Sequence, residues 1–305
     1  MKRNSTPFIY HPIYSDLVLP PRHRYPIGKY RALQQWAVRH GAKPEQWLTA
    51  QPLNWDKVAT VHCRNYIRRL QNNDFTKAEW RRIGFPWSQQ LLTRTLTSAG
   101  GTLQTVEVAL QQQLAIHFSG GYHHAHYDWG SGFCLINDLA IAARHAVDNL
   151  GLSSVLIFDT DVHQGDGTAT LFSNESRIIT CSIHSQKNFP FNKAQSDIDV
   201  GVADDISEAD YLQTVFDTLE SAINRFQPQL VLYDAGVDIY QRDDLGKLGI
   251  SLAGIYQRDL QVLGLLQQRQ IATAVVIGGG YQRQLDRLVT AHGQLLRAAH
   301  HLFSA

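Results

Sequence analysis

The sequence predicts one α/β domain over residues 1–305, with three α/β/α layers and a mainly parallel central sheet. Three features point there. Strand-length apolar runs alternate with stretches of helical periodicity. Several runs are apolar at every position, as strands covered on both faces must be. Polar residues gather where the runs end: His117, Asp159, Ser182 and His184, Asp234 and Asp238, and Gly278 to Tyr281. Ligands bind at that end of parallel strands, so function is expected there.

Taken in order, "FIYH" from Phe8 reads as a short strand. "HPIYSDLVLPPRHRYPIGKY" holds too many prolines for a regular element, and is expected to be a loop that either walls a binding cleft or packs on the surface through its own Tyr and Pro side chains. "KYRALQQWAVRH" is helical through Leu33, Trp36, Ala37 and His40. The run "LAIHF" from Leu114 is the next strand, and a helix follows Asn137, with Asp138 near its start and alanines along it. "SVLIFD" from Ser154 and "IITCSIH" from Ile178 are strands. "EADYLQTVFDTLESAINRF" is the clearest helix. Leu212, Val215, Phe216, Leu219, Ile223 and Phe226 form one stripe, and Ser207 with Asp210 resembles a capping box. "LVLYDAG" from Leu230 and "TAVVIGGG" from Thr273 complete the strands.

Bulk composition excludes more than it selects. With 28 Lys and Arg against 27 Asp and Glu, the net charge is +1, and no basic stretch is dense enough to follow a phosphate backbone. No nucleic-acid partner is expected. The start "MKRNSTPFIYHP" lacks a signal-peptide core and no run approaches a membrane span, so a cytoplasmic protein without a membrane partner is expected. Cys63, Cys134 and Cys181 are scattered, which fits reduced thiols.

Two stretches carry the chemistry. In "HFSGGYHHAHYDWGSGF", His123 and His124 are adjacent, and neighbouring imidazoles converge only where irregular backbone lets them; the flanking glycines supply it. In "FDTDVHQGDGT", Asp159, Asp161 and His163 alternate and so project from one face of an extended segment. Two carboxylates that close resist joint ionisation unless a cation lies among them. A catalytic zinc site takes three protein ligands and leaves one position open, and Asp238 in "DAGVD" is the candidate third ligand.

Together, "GGYHHAHYDWGSGFCLIND", "DTDVHQGDGT", "AGVDIYQRDDLGKLGIS" and "IGGGYQR", with "YHPIY", "RYPIGKYR" and "RRIGFPWS" before them, resemble the histone deacetylase superfamily. The likeness is to its bacterial members most similar to class IV deacetylases, and it implies the arginase/deacetylase fold. It implies that Asp161, His163 and Asp238 hold one catalytic divalent ion, zinc or ferrous iron. His124 is then the general base and later the general acid, His123 gives electrostatic help, and Asp159 and Asp166 orient His123 and His124 respectively. Tyr281 is implied to polarise the scissile carbonyl and hold the oxyanion. Gly132 supplies a backbone carbonyl and Phe133 an aromatic wall for the substrate. A structural potassium is implied at backbone oxygens of Asp159, Asp161, His163 and Ser182 with the Asp159 side chain. The second tunnel aromatic is either Phe189 or Phe191.

The activity so implied is hydrolysis of an acyl group, acetyl or longer fatty acyl, from the lysine side chain of a protein or peptide, by metal-activated water. Deacetylation of small amines such as acetylpolyamines, and non-catalytic binding of acyl-lysine, are the alternatives. A two-metal ureohydrolase of related fold needs more bridging carboxylates than the motifs hold. His126, His145, His184 and Cys134 read as packing residues, His117 as a hydrogen-bonding group beneath the site, and Trp129 as a candidate for the cleft mouth.

Overall fold

Eight strands form one sheet, every neighbouring pair parallel, in the order β2-β1-β3-β8-β7-β4-β5-β6. The computed structural model describes residues 6–303; the basic start of the chain, Lys2 and Arg3, lies outside the described residues. The strands are β1 Phe8–Tyr10, β2 Trp47–Thr49, β3 Leu114–His117, β4 Val155–Asp159, β5 Ile178–Ser185, β6 Ile198–Val202, β7 Leu230–Asp234 and β8 Ala272–Val276. Central β3, β4, β5 and β7 are buried at every residue, which is why β3, β4 and β7 read as apolar up to their last residue, while β5 also buries Thr180, Ser182, His184 and Ser185. The edge strands β2 and β6 are the two that the apolar runs did not reveal. β2 is three residues long, and β6 alternates half-exposed and exposed residues before its buried Val202.

Among the described residues, ten α-helices connect them: α1 Lys29–Arg39, α2 Trp55–Val58, α3 Arg64–Gln71, α4 Lys77–Ile83, α5 Gln89–Gln112, α6 Asp138–Asp148, α7 Asp166–Phe172, α8 Glu208–Phe226, α9 Leu252–Gln268 and α10 Leu285–Phe303. Helices α5, α6 and α7 pack as one group, and α1, α8, α9 and α10 as another, so that the sheet is covered on both faces. The sequence bounds α8 correctly because Ser207 caps it. The Ser207 hydroxyl accepts from the Asp210 N–H at 3.1 Å and donates to the Asp210 carboxylate at 2.6 Å. The longest helix, α5, escaped the periodicity reading. It is buried on most of its circumference, and at mid-length Gly101 lies against the His117 ring and the Tyr14 hydroxyl, where a Cβ would collide.

Topology places the site. From β4 the chain runs outward to β5 and β6, then returns to β7 on the other side of β4. That reversal leaves a crevice at the carboxyl ends of β4 and β7, where Asp159 faces Ser182 on one neighbour and Asp234 on the other. No helix among the described residues is long and apolar enough to cross a membrane.

Candidate active site

Each functional side chain stands on backbone that leaves the sheet at its carboxyl edge. Past β4, Asp161 and His163 turn toward Asp238, which follows β7. Their ligand atoms lie within 4.8 Å of one another and all three residues are buried. His163 Nδ1 is 3.0 Å from Asp161 Oδ1 and 3.1 Å from Asp238 Oδ2. Burial, and then the Asp161 carboxylate, push Asp238 up to about 7, the mark of two acids held too close to be ionised together without a cation. Gly279 lies against this group, and a Cβ there would strike the carboxylate oxygens of Asp161 and Asp238. Two carboxylates and one imidazole, buried and converging, fit a divalent cation, with oxygen and nitrogen donors suited to zinc or ferrous iron.

His123 and His124 meet nose to nose, with their Nε2 atoms 3.2 Å apart. Their outer nitrogens have separate partners. His123 Nδ1 is 2.6 Å from Asp159 Oδ2, and His124 Nδ1 is 2.6 Å from Asp166 Oδ1. The environments drive the two rings apart. Burial opposes charge on His123, but Asp159, with Asp161 and Asp234 behind it, raises its pKa well above the ordinary histidine value. Burial and the neighbouring His123 push His124 down to about 4. The surroundings thus favour the charged form of His123 and the neutral form of His124, the kind of separation that lets paired groups divide acid and base roles.

The glycine run after β8 delivers Tyr281. Gly279 N–H donates to Asp161 Oδ2 at 3.0 Å, Gly279 O accepts from Val237 N–H at 2.9 Å, and Tyr281 N–H donates to Asp243 Oδ2 at 2.7 Å. Burial holds the Tyr281 hydroxyl well above the usual tyrosine range, so it stays a proton-bearing donor at neutral pH. Gly132, at φ +54°, lies so close to the His124 ring that a Cβ would come within 2.5 Å of Cδ2. A cavity of about 420 Å³ runs between Phe133 and Phe189 to His124, His163 and Tyr281. Of the two candidates for a second aromatic wall, Phe189 lines this cavity, with its ring 4.9 Å from His124, while Phe191 is 86% exposed. Trp129 does not line this cavity. It stacks on His126 at 3.7 Å and lies under the Arg82 guanidinium.

Several supporting residues have a place in the site that the sequence motifs did not assign. Lys29, 2% exposed, donates from Nζ to Gly278 O at 2.9 Å, anchoring the turn that presents Tyr281. His126, read as a packing residue, is 3.1 Å from Asp166 Oδ2 and so shares the carboxylate that orients His124. Arg258 donates to Gly236 O at 2.6 Å and Ala235 O at 3.1 Å, fixing the loop that leads to Asp238. Buried Asp234 groups with His123 and Asp159, and its Oδ2 has no hydrogen-bond partner among the described residues. His117 lies beneath the site as expected, between the Tyr14 hydroxyl at 2.8 Å and Thr102 Oγ1 at 3.0 Å. His184 bonds Ser182 Oγ at 3.0 Å, and His145 is 3.1 Å from Glu107.

Residues 23–296 match the histone deacetylase domain. This chain belongs to the histone deacetylase family. It is 30% identical over 279 residues to Histone deacetylase 2 of Arabidopsis thaliana, covering 88% of this chain and 72% of that protein. An uncharacterized protein of Picosynechococcus sp. is 40% identical over 299 residues, 97% of this chain and 99% of that one. The acetoin utilization protein AcuC of Staphylococcus aureus is 26% identical over 307 residues, 92% of this chain and 78% of that protein. Among solved structures, an HDAC homolog from Aquifex aeolicus superposes with a TM-score of 0.83 at 19% identity, over 99% of this chain and 84% of that one. An HDAC homolog complexed with SAHA gives a TM-score of 0.82 at 19% identity over the same shares. These two show that the parallel, two-face-covered sheet is the deacetylase fold.

Proposed function

We propose that this deacetylase-family chain, acting as one catalytic domain, removes an acetyl group from the side-chain amine of lysine in peptides or proteins. The observation that carries the reading is the aromatic-walled cavity of about 420 Å³ ending at His124, His163 and Tyr281. It matches an apolar stem with a reactive carbonyl at its tip. Beyond that end, between Lys29, Gly121 and Gly279, the remaining space is about 10 Å³, room for one water-sized group. So narrow a space favours a small acyl group such as acetyl over a fatty chain.

A divalent cation held by Asp161, His163 and Asp238 would polarise the acyl oxygen and acidify water. His124 Nε2 takes the proton of the attacking water, because its Nδ1–H is committed to Asp166 and its own basicity is set by burial beside a charged ring. Cationic His123, held by Asp159, stabilises the negative charge that develops. The Tyr281 O–H donates to the developing oxyanion, and the Gly132 carbonyl accepts the substrate amide N–H. His124 then returns its proton to the leaving amine. A potassium ion at the backbone oxygens of Asp159, Asp161, His163 and Ser182 would stiffen the β4 end; Ser182 stands opposite Asp159 in register.

The test uses zinc- or iron-loaded protein with matched peptides bearing acetyl-, octanoyl- and myristoyl-lysine, with and without chelator, beside Tyr281→Phe. Chelator-sensitive cleavage that favours acetyl and is lost in Tyr281→Phe is expected. Preference for a long chain overturns the acetyl assignment, and no cleavage of any acyl-lysine overturns the hydrolase reading.

A further inference from the structure

The segment "PPRHRYP" carries alternate residues in two directions. His23 and Tyr25 point inward. The His23 ring stacks on Phe85 and its Nε2 is 2.8 Å from Gly84 O, while the Tyr25 ring lies 5.3 Å from Phe133 and 6.4 Å from Tyr281. Arg22 and Arg24 between and beside them are exposed, and neither has a hydrogen-bond or ion-pair partner among the described residues. Arg24 lines both the catalytic cavity and an adjoining cavity of about 650 Å³; the two share Arg24, Leu245 and Tyr281. Arg22 and Arg283 line the second cavity, and Arg82 lines the first. Among the described residues lining either cavity, Asp244 is the one carboxylate, and it is already turned to Arg283, whose backbone N–H it accepts at 3.1 Å.

We propose that this arginine rim makes the enzyme select acyl-lysine with acidic residues close by in the peptide, and reject cationic amines such as acetylated polyamines. The inference rests on the acyl-lysine reading above and names which substrates of that class enter. The whole chain has a net charge of only +1, so the excess at the mouth is local rather than a property of the entire surface. The rim is also held in place. His23 and Tyr25 anchor the loop on either side of Arg24, and Arg82 donates from Nε to Gly130 O at 3.1 Å with its guanidinium 4.7 Å over the Trp129 ring. Guanidinium groups are suited to carboxylates because their paired N–H groups match the two oxygens. An acetyl-lysine stem that fills the catalytic cavity leaves its neighbouring residues at this rim, where an acidic side chain meets Arg24 and the adjoining cavity. A polyamine brings ammonium groups to the same place and is repelled.

Exposed ion pairs contribute modestly one by one, so the combined preference is expected to be about tenfold in kcat/KM. It should shrink in high salt as the screening length falls. The experiment compares acetyl-lysine peptides of equal length flanked by Asp and Glu, by Ser, or by Lys, together with monoacetylated spermidine, on metal-loaded protein at low and high salt. The expected order is acidic, neutral, basic, with the polyamine last, and Arg24→Glu should abolish or invert it. Equal rates for all flanks, a preference for basic flanks, or a ratio unchanged in Arg24→Glu overturns the inference while leaving the hydrolase reading intact. If no substrate is cleaved, the hydrolase reading fails instead, and binding of labelled acidic and basic peptides to Tyr281→Phe by fluorescence anisotropy still reads the rim. Equal affinities there overturn it.

Discussion

Replacing Lys29 by Met keeps the length of the stem and removes the ammonium group, and so tests whether this residue acts through Tyr281. Lys29 Nζ is buried and donates a 2.9 Å hydrogen bond to Gly278 O, three residues before Tyr281. A hydrogen bond from a charged donor contributes about 1.5–3 kcal/mol, or roughly 10- to 150-fold in rate if all of it positions the oxyanion donor. The expected result is a fall of that order in kcat on an acetyl-lysine peptide, with KM little changed. A double-mutant cycle separates positioning from general damage. In a Tyr281→Phe background, where there is no hydroxyl left to aim, Lys29→Met should cost little. Stability supplies a second check. Burial lowers the Lys29 pKa to about 8, below its value of about 10.4 in an unfolded chain, so between those pH values the unfolded state binds more protons and folding becomes more favourable as pH rises. Urea denaturation should show that rise in the wild type and a flatter profile in Lys29→Met. Equal rate losses in both backgrounds, or a kcat within threefold of wild type, would refute the positioning role.

Asp238→Asn removes one anionic ligand from a group of three, and metal analysis after dialysis should show the bound divalent ion falling well below one per chain, with deacetylation lost alongside it. Arg258→Met leaves Asp259 buried without its guanidinium partner at 2.9 Å, which should cost about 3–5 kcal/mol in denaturant titrations; Arg258→Met with Asp259→Leu should recover much of it. The buried neutral histidines should each make the fold less stable in acid. Burial depresses His62 to about 4 and His117 to about 3, so below about pH 6.5 the unfolded chain takes up protons that the folded chain refuses. Each should remove about 1.4 kcal/mol per pH unit across that window, so the pH slope of stability between 6.5 and 4.5 should be shallower in His62→Gln than in the wild type, and equal slopes would contradict it.

Much of this fold was legible because burial writes directly into composition. The covered strands β3, β4 and β7 read as apolar runs, and polar residues gather at their carboxyl ends, where parallel sheets bind ligands. What stayed hidden had weaker local signals. In α5, buried threonines, Ser98 and the Gly100–Gly101 pair blur the apolar stripe, because a helix enclosed on several sides needs small residues more than it needs one greasy face. Lys29 and Arg258 read as ordinary charges on helices. Only the fold brings Lys29 to a carbonyl 249 positions away and Arg258 to the loop before Asp238. His126 reads as a packing histidine because most histidines near a motif are, and nothing local links it to Asp166, 40 positions on.

That shared carboxylate explains why two adjacent histidines of identical chemistry can hold unlike jobs. His123 faces Asp159 directly, with Asp161 and Asp234 close behind, so three carboxylates favour its charged form. His124 has Asp166 alone, and Asp166 also serves His126 on its other oxygen. The cation on His123 then repels a second charge 3.2 Å away, and burial completes the depression of His124. The tandem pair in the sequence is symmetric; in the proposed mechanism the asymmetry that would make one ring an electrostatic anchor and the other a base is supplied by how many carboxylates the ends of β4 and β7 deliver to each.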